Sequence, residues 1–293
     1  MSKPVLILDC NYVAHRMFHS MGEAMYGEAV IYGFLRDIAI LQEEFNSGLI
    51  VFAWDVGYGK RRDLFPDYKA NRRKDEYTEE EQMAYKDLTT QMRKLREQYL
   101  RELGYRNVFF QDGYEADDII GSVVLHSIKE REAIIVSADQ DLWQLLRVNV
   151  SCYNPVLKHL LTRDGFVSKW GIEPELWSHV KAIAGCRTDN IPGLTRIGEV
   201  TAAKWYQGKL KPTSVAHKKI SGDGIEVHNR NIRLTRLPFE GTETFKLKED
   251  ELSVDRWNEL ADRLDMESLK DFVPGVPRGV KQKKKKRSVG FGF

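Results

Sequence analysis

The sequence predicts an α/β fold: a mostly parallel sheet with flanking helices. Three observations carry this. Pro4–Asp9, Leu49–Trp54 and Ala133–Ser137 are apolar runs without polar alternation, the pattern of strands covered on both faces. Val30–Phe45 has apolar residues at helical spacing between the first two runs, so residues 4–55 read as one βαβ unit. Each run ends at or just before an acid, Asp9, Asp55 or Asp139. A lone acid there could simply cap a helix. Several on one edge point to a ligand, because open α/β sheets bind beyond the carboxyl ends of their strands.

At 293 residues, 42% apolar and 30% charged, the chain can bury one large core and a smaller one. No apolar stretch approaches the roughly 20 residues of a membrane span, and Met1–Asp9 has a strand pattern, not a secretory signal, so a cytoplasmic, reduced setting is expected. Cys10, Cys152 and Cys186 form no C-x-x-C pair and indicate neither a disulfide framework nor a zinc site. Net charge is +2, but Lys281, Lys283–Lys286 and Arg287 supply six positive charges, leaving the remainder mildly acidic. A polyanion could bind such a body only through basic patches and with cations offsetting the acids.

Tyr12–Phe18 follows the first strand at helical spacing. Residues 57–107 break the α/β rhythm with Lys60, Arg61, Arg62, Lys69, Arg72, Arg73 and Lys74 around Phe65 and Tyr68. A long helix then starts at Thr78-Glu-Glu-Glu, its acids suiting the helix dipole, and runs to Gly104. Next come a strand at Val108–Phe110, the acids Glu115, Asp117 and Asp118 opening a helix to Ile128, and Asp139 and Asp141 before a helix Leu142–Arg147. On a helix Glu115 and Asp118 would share a face and Asp117 would diverge, so spacing alone leaves the ligands open. Crowded carboxylates require cations, and hard oxygen donors suit Mg²⁺ or Mn²⁺.

Arg61-Arg-Asp-Leu-Phe-Pro-Asp-Tyr-Lys69-Ala-Asn-Arg72, Glu115-Ala-Asp117-Asp118, Ser137-Ala-Asp139-Gln-Asp141 and Lys181-Ala-Ile-Ala-Gly185-Cys-Arg-Thr-Asp189-Asn-Ile-Pro-Gly193, following Asp9, resemble in order the motifs of the 5′-nuclease family. This family comprises flap endonucleases and 5′→3′ exonucleases, phage enzymes and the 5′-nuclease domain of bacterial DNA polymerase I. The resemblance implies a PIN-like nuclease core over 1–173, with 57–107 as a helical arch. It also implies a helical (helix-three-turn-helix) duplex-DNA-binding region over 174–272. The composition of 273–293, with two prolines, four glycines and the lysine run, predicts a disordered basic tail. The resemblance implies one metal at Asp9, Asp55, Glu115 and Asp117, with Asp118 as ligand or neighbour, and a second at Asp139, Asp141 and Asp189. Two Mg²⁺ ions, replaceable by Mn²⁺, would drive phosphodiester hydrolysis. Lys69 and Arg61 would be catalytic cations beside the scissile phosphate. Tyr12 would offer a stacking face worth about 1–3 kcal/mol per base, and Arg16, Arg72 and Arg73 would meet DNA.

Asn190–Lys204 resembles the family's duplex-gripping hairpin between helices Pro174–Ala184 and Glu199–Gln207, with Gly193 and Gly198 at a turn that would hold K⁺ and with Arg196 and Lys204 on phosphates. Two departures stand out. Cys186 replaces a second-site carboxylate, predicting weak Mg²⁺ binding there and a lean to Mn²⁺. Val200 replaces a basic residue. Helices are expected at Asn229–Leu237 and Trp257–Leu264, and Val289–Phe293 is a candidate dock for a clamp or single-strand-binding partner. The expected substrates are branched, 5′-ended or RNA-primed DNA, the chain a monomer of phage type. A catalytically weakened junction binder and a PIN-type ribonuclease are the competing readings.

Overall fold

The computed structural model describes residues 3–20, 28–72 and 77–275, so Arg73 and the tail beyond Gly275 lie outside the described residues. Six strands form one sheet in the order β3-β2-β1-β4-β5-β6. They are β1 (Val5–Asp9), β2 (Leu49–Ala53), β3 (Val108–Phe109), β4 (Ala133–Val136), β5 (Val150–Asn154) and β6 (His159–Leu161). All pairings are parallel except β5 with β6. The antiparallel edge strand was not foreseen, since His159–Leu161 is short and mostly exposed.

Strand alternation sorts the core into two layers. Leu6, Leu8, Ile50 and Phe52 face one cluster, with α1 (Cys10–Ser20) and α2 (Ala29–Glu44). Val5, Ile7, Leu49 and Val51 face the other, with α6 (Ala116–Val123) and α8 (Trp177–Ala184). Both layers are apolar, which is why these strands carry no polar alternation.

Within 57–107, the stretch expected as a helical arch, the second half packs on the core. After α3 (Gly59–Leu64), α4 (Glu79–Lys94) starts from a Thr78/Glu81 capping box and continues through a wide turn at Leu95–Tyr99 into α5 (Leu100–Leu103). Leu88, Leu95, Tyr99, Leu100 and Leu103 are buried in the first core layer, so the second half of this stretch is scaffold. Gly104 ends it at φ 101°, where an added Cβ would strike the Glu251 carbonyl.

Residues 174–272, expected as a helical duplex-DNA-binding region, pack in two places. β7 (Gly185–Cys186), α9 (Glu199–Tyr206) and α11 (Gly224–Thr235) pack with α8, while β8 (Ile191–Pro192) pairs with β7 and α10 (Val215–Ser221) packs on α9 and α11. Then α12 (Val254–Arg263) and the turn Glu267–Phe272 return to the first core layer, where Trp257, Leu260 and Leu269 are buried with α2 and α5. Asp250 fastens the return: its carboxylate accepts from the backbone N–H of Ile50 (3.2 Å) and Arg106 (2.8 Å). Among the described residues, no helix is long and apolar enough to cross a membrane.

Candidate active site

The acids meet at the carboxyl edge of the sheet because three strands deliver them there. Asp9 is the last residue of β1; Tyr12 N–H donates to its Oδ1 (3.0 Å) and Ser137 Oγ to its Oδ2 (2.9 Å). Asp55 follows β2 and accepts the Ala116 N–H at the start of α6, while its own N–H is held by Asn11 Oδ1 (3.1 Å). Asp139 follows β4 and accepts the Asp141 N–H (2.8 Å).

These groups repel one another at the edge of the core, where Asp9 is buried, Asp55, Asp117 and Asp141 are half-buried and Asp139 is exposed at its rim. Burial first, then Asp55, pushes the Asp9 carboxyl up to about 7. Burial followed by Glu115 takes Asp55 to about 6, and burial followed by Asp139 takes Asp141 to about 6. Asp117 is raised well above its ordinary value by burial and by Asp139, Asp9, Glu115 and Asp55; Asp139 is raised by burial and by Asp189. Seven carboxylates thus share one field, although they come from separate segments of the chain.

Two expected residues have different roles. Arg61 is buried, with Nε donating to the Leu234 carbonyl (3.1 Å), Nη1 to Asp118 Oδ2 (2.6 Å) and Glu115 Oε2 (3.0 Å), and Nη2 to Asp118 Oδ1 (2.7 Å). Its fork is occupied by protein acceptors, so it ties α3, α6 and α11 together. Asp118, 0% exposed, also accepts the Glu115 and Phe239 N–H groups, so both its oxygens are already bonded within the protein.

Glu115 lies between these sets. Burial alone would raise its carboxyl, but Lys69, Arg61 and the Tyr68 hydroxyl (2.7 Å) more than offset that and hold it below its ordinary value. Lys69, at φ 53°, bonds Glu115 through Nζ and lies 3.6 Å from Asp189 Oδ1, and its N–H donates to the Asp189 carbonyl (2.9 Å). Arg72 reaches Asp189 Oδ1 (3.1 Å) from an exposed position.

Asp141, Cys186 and Asp189 form a second group whose donor atoms all lie within 4.8 Å of one another. Lys181 Nζ lies 3.0 Å from both Asp141 Oδ1 and Glu199 Oε1. The sequence reading left Lys181 without a role; its signal was its place four residues before Gly185, one helical turn from the hairpin. Tyr68, Ser137 and Asn11 were also missed, each being adjacent or near to an expected residue.

The remaining residues are dispersed. Tyr12 is half-buried against the first core layer, and Arg16 is ion-paired with Asp37. Gly193 is required by close approach, since a Cβ would lie 2.1 Å from the Ala184 carbonyl. Gly198 caps α9, and a Cβ there would meet nothing. Arg196 sits at φ 66°, and Lys204 is exposed on α9.

Residues 4–171 match the family model of the 5′-3′ exonuclease, N-terminal resolvase-like domain. The chain is 35% identical over 177 residues to a 5′-3′ exonuclease of Bacillus subtilis, covering 59% of this chain and 56% of that protein. It is 32% identical over 207 residues to the 5′-3′ exonuclease of Buchnera aphidicola, 68% of each. It is 30% identical over 262 residues to the thermostable DNA polymerase I of Thermus filiformis, covering 81% of this chain but 29% of the polymerase. The chain therefore spans little more than half of the first relative and under a third of the polymerase. The fold is that of the bacteriophage T5 5′-exonuclease solved with zinc (TM-score 0.69, 22% identity, 92% of this chain and 98% of that one). On the model match and the Buchnera relative together, the chain belongs to the 5′-3′ exonuclease family with an N-terminal resolvase-like domain.

Proposed function

We propose that this chain is a structure-specific, divalent-metal-dependent 5′-nuclease that hydrolyses phosphodiesters at the flaps, 5′ ends or RNA primers of branched DNA. The carrying observation is the crowding of Asp9, Asp55, Asp117 and Asp139 at one edge with their carboxyls raised by burial and mutual repulsion. Among the described residues no hydrogen-bond donor reaches the Asp117 carboxylate, so bound cations are the natural counter-charge. Relatives named as exonucleases, and a T5 flap endonuclease solved with DNA and metal ions on the same fold (TM-score 0.69), support the reading.

The all-oxygen donor set of the first site fits hard divalent ions, Mg²⁺ first and Mn²⁺ as substitute, whereas the second includes the Cys186 sulfur. Asp9, Asp55, Asp117 and Glu115 would hold one, and Asp139, Asp141 and Asp189 the other. Such ions supply Lewis acidity and a water of lowered pKa. The chain's own contribution is positioning. Arg61 and Asp118 pin the start of α6 so that Asp117 stays aimed at the edge. Tyr68 and Arg61 orient Glu115, while Lys69 presents an ammonium for charge developing on the phosphate. Half-buried Tyr12 offers a ring to a terminal base, and Lys204, Arg196 and the Gly193–Gly198 turn, with K⁺ on its carbonyls, would track the duplex.

Cys186 and the Lys181–Asp141 pair favour a second reading, a junction-binding protein with weakened catalysis. A labelled 5′-flap duplex incubated with Mg²⁺ or Mn²⁺, in K⁺ and in Na⁺ buffers, separates the two. Product supports the nuclease; a shifted but uncut complex in every ion rejects it. Truncation at residue 280 in the same assay should spare cleavage while removing pull-down of a replication partner.

A further inference from the structure

We propose that Cys186 makes the Asp141–Cys186–Asp189 group a site selective for a thiophilic divalent ion, of the Zn²⁺ or Cd²⁺ class, over Mg²⁺. The inference deepens the two-ion reading above by fixing the chemistry of its second site. Two carboxylate oxygens and one sulfur within 4.8 Å of one another can share a single ion. A thiolate donor strengthens binding of borderline and soft ions and contributes little to Mg²⁺, which is held by oxygen.

The geometry is held before any ion arrives. Cys186 and Ile191 pair across the β7–β8 hairpin, with Asn190 at φ 56° turning the chain. Both sides of the turn are tied to the loop before α4: Asn71 Nδ2 donates to the Arg187 carbonyl (2.9 Å) and Asn190 Nδ2 to the Asp67 carbonyl (2.8 Å). Cys186 Sγ lies 3.6 Å from Asp189 Oδ2 and 3.0 Å from Thr188 Oγ1, so the Thr188 hydroxyl can donate to a sulfur ligand.

Charge points the same way. Asp141 Oδ1 is a buried atom with no well-aligned hydrogen bond, and Lys181 Nζ stands 3.0 Å from it. Lys181 has a second carboxylate, Glu199, at the same distance, so it can keep a partner while Asp141 turns to an ion. When the ion binds, the S–H proton passes to solvent as the metal–sulfur bond forms.

Cd²⁺ titrated into the full-length protein should produce the sulfur-to-cadmium charge-transfer absorption, saturating at one sulfur-bound ion per chain. Cys186→Ser should abolish the band although Cys10 and Cys152 remain. Zn²⁺ should displace Cd²⁺ far more readily than Mg²⁺, and Cys186→Asp should shift the Zn²⁺/Mg²⁺ affinity ratio toward Mg²⁺ by on the order of 10-fold or more. A folded wild-type protein without the band, a band that survives Cys186→Ser, or an unchanged affinity ratio would overturn the proposal. The readout is independent of cleavage. A band without flap cleavage in any ion leaves this site standing and sinks the nuclease reading; cleavage without the band does the reverse.

Discussion

Asp117 and Asp118 are neighbours in the chain with opposite fates. Asp118 is fully buried and saturated: Arg61 binds both its oxygens and two backbone N–H groups complete its set. Asp117 shares a field with Asp9, Asp55, Glu115 and Asp139 and accepts no hydrogen bond among the described residues. One step along a helix rotates a side chain by about 100°, which separates a carboxylate that holds the fold from one left for a ligand. The same contrast runs through the whole site. Where Arg61 fills both carboxylate oxygens, at Asp118, the acid is structural; where repelling carboxylates are the neighbours, at Asp117, it is left for a ligand.

The largest effects should come from breaking this contrast on its unpaired side. Asp117→Asn should lower divalent-dependent flap cleavage by about a thousandfold or more, equivalent to roughly 4 kcal/mol of barrier. It should also raise the melting temperature of the metal-free protein, because it removes a repelling buried charge. A variant that cleaves normally would refute the assignment.

On the paired side, Arg61→Ala should cost about 3–5 kcal/mol of folding stability by leaving Asp118 and Glu115 buried and uncompensated. Chemical denaturation measures this directly. An unchanged midpoint would mean that Arg61 is not the strut its bonds indicate.

The contrast can be sharpened with pH. The folded-state pKa values of Asp9 (about 7), Asp55 and Asp141 (about 6) lie above the ordinary 3.8, so the metal-free fold binds more protons than the unfolded chain. Stability of the metal-free protein should therefore fall as pH rises from about 4 to 7. Mg²⁺ or Mn²⁺ at about 100 times its Kd should restore about 2.7 kcal/mol at pH 7.5 and progressively less below pH 6, where protons compete. Thermal melts across pH, with and without metal, decide it. Equal metal stabilisation at pH 5 and 7.5 would contradict the account.

The smallest effect belongs to the duplex-facing surface. Val200 is 59% exposed on the first turn of α9. Val200→Lys should steepen the salt dependence of duplex affinity by about one unit of log–log slope if this face meets phosphates. No change in slope would move the DNA elsewhere.

Much of the molecule was legible before any coordinates. Apolar runs ending in Asp9, Asp55 and Asp139 specify a parallel sheet with its acids on one edge, because strand direction and burial on both faces are written in local pattern. The helix starts at Thr78 and Glu199 and the glycine hairpin were readable for the same reason: capping and turn chemistry act within a few residues. What only the tertiary structure decided depends on partners far apart in sequence. Arg61 turned inward because Asp118 and the Leu234 carbonyl converge on its fork, 57 and 173 residues away. Lys181 became the counter-charge of Asp141 because α8 lies across the segment that follows β4. Residues 88–103 and 254–272 became scaffold because their apolar stripes cover the same face of the sheet. Residue type and spacing determined which groups could do chemistry here; packing decided which of them were already saturated, as Arg61 saturates Asp118 while Asp117 faces other carboxylates.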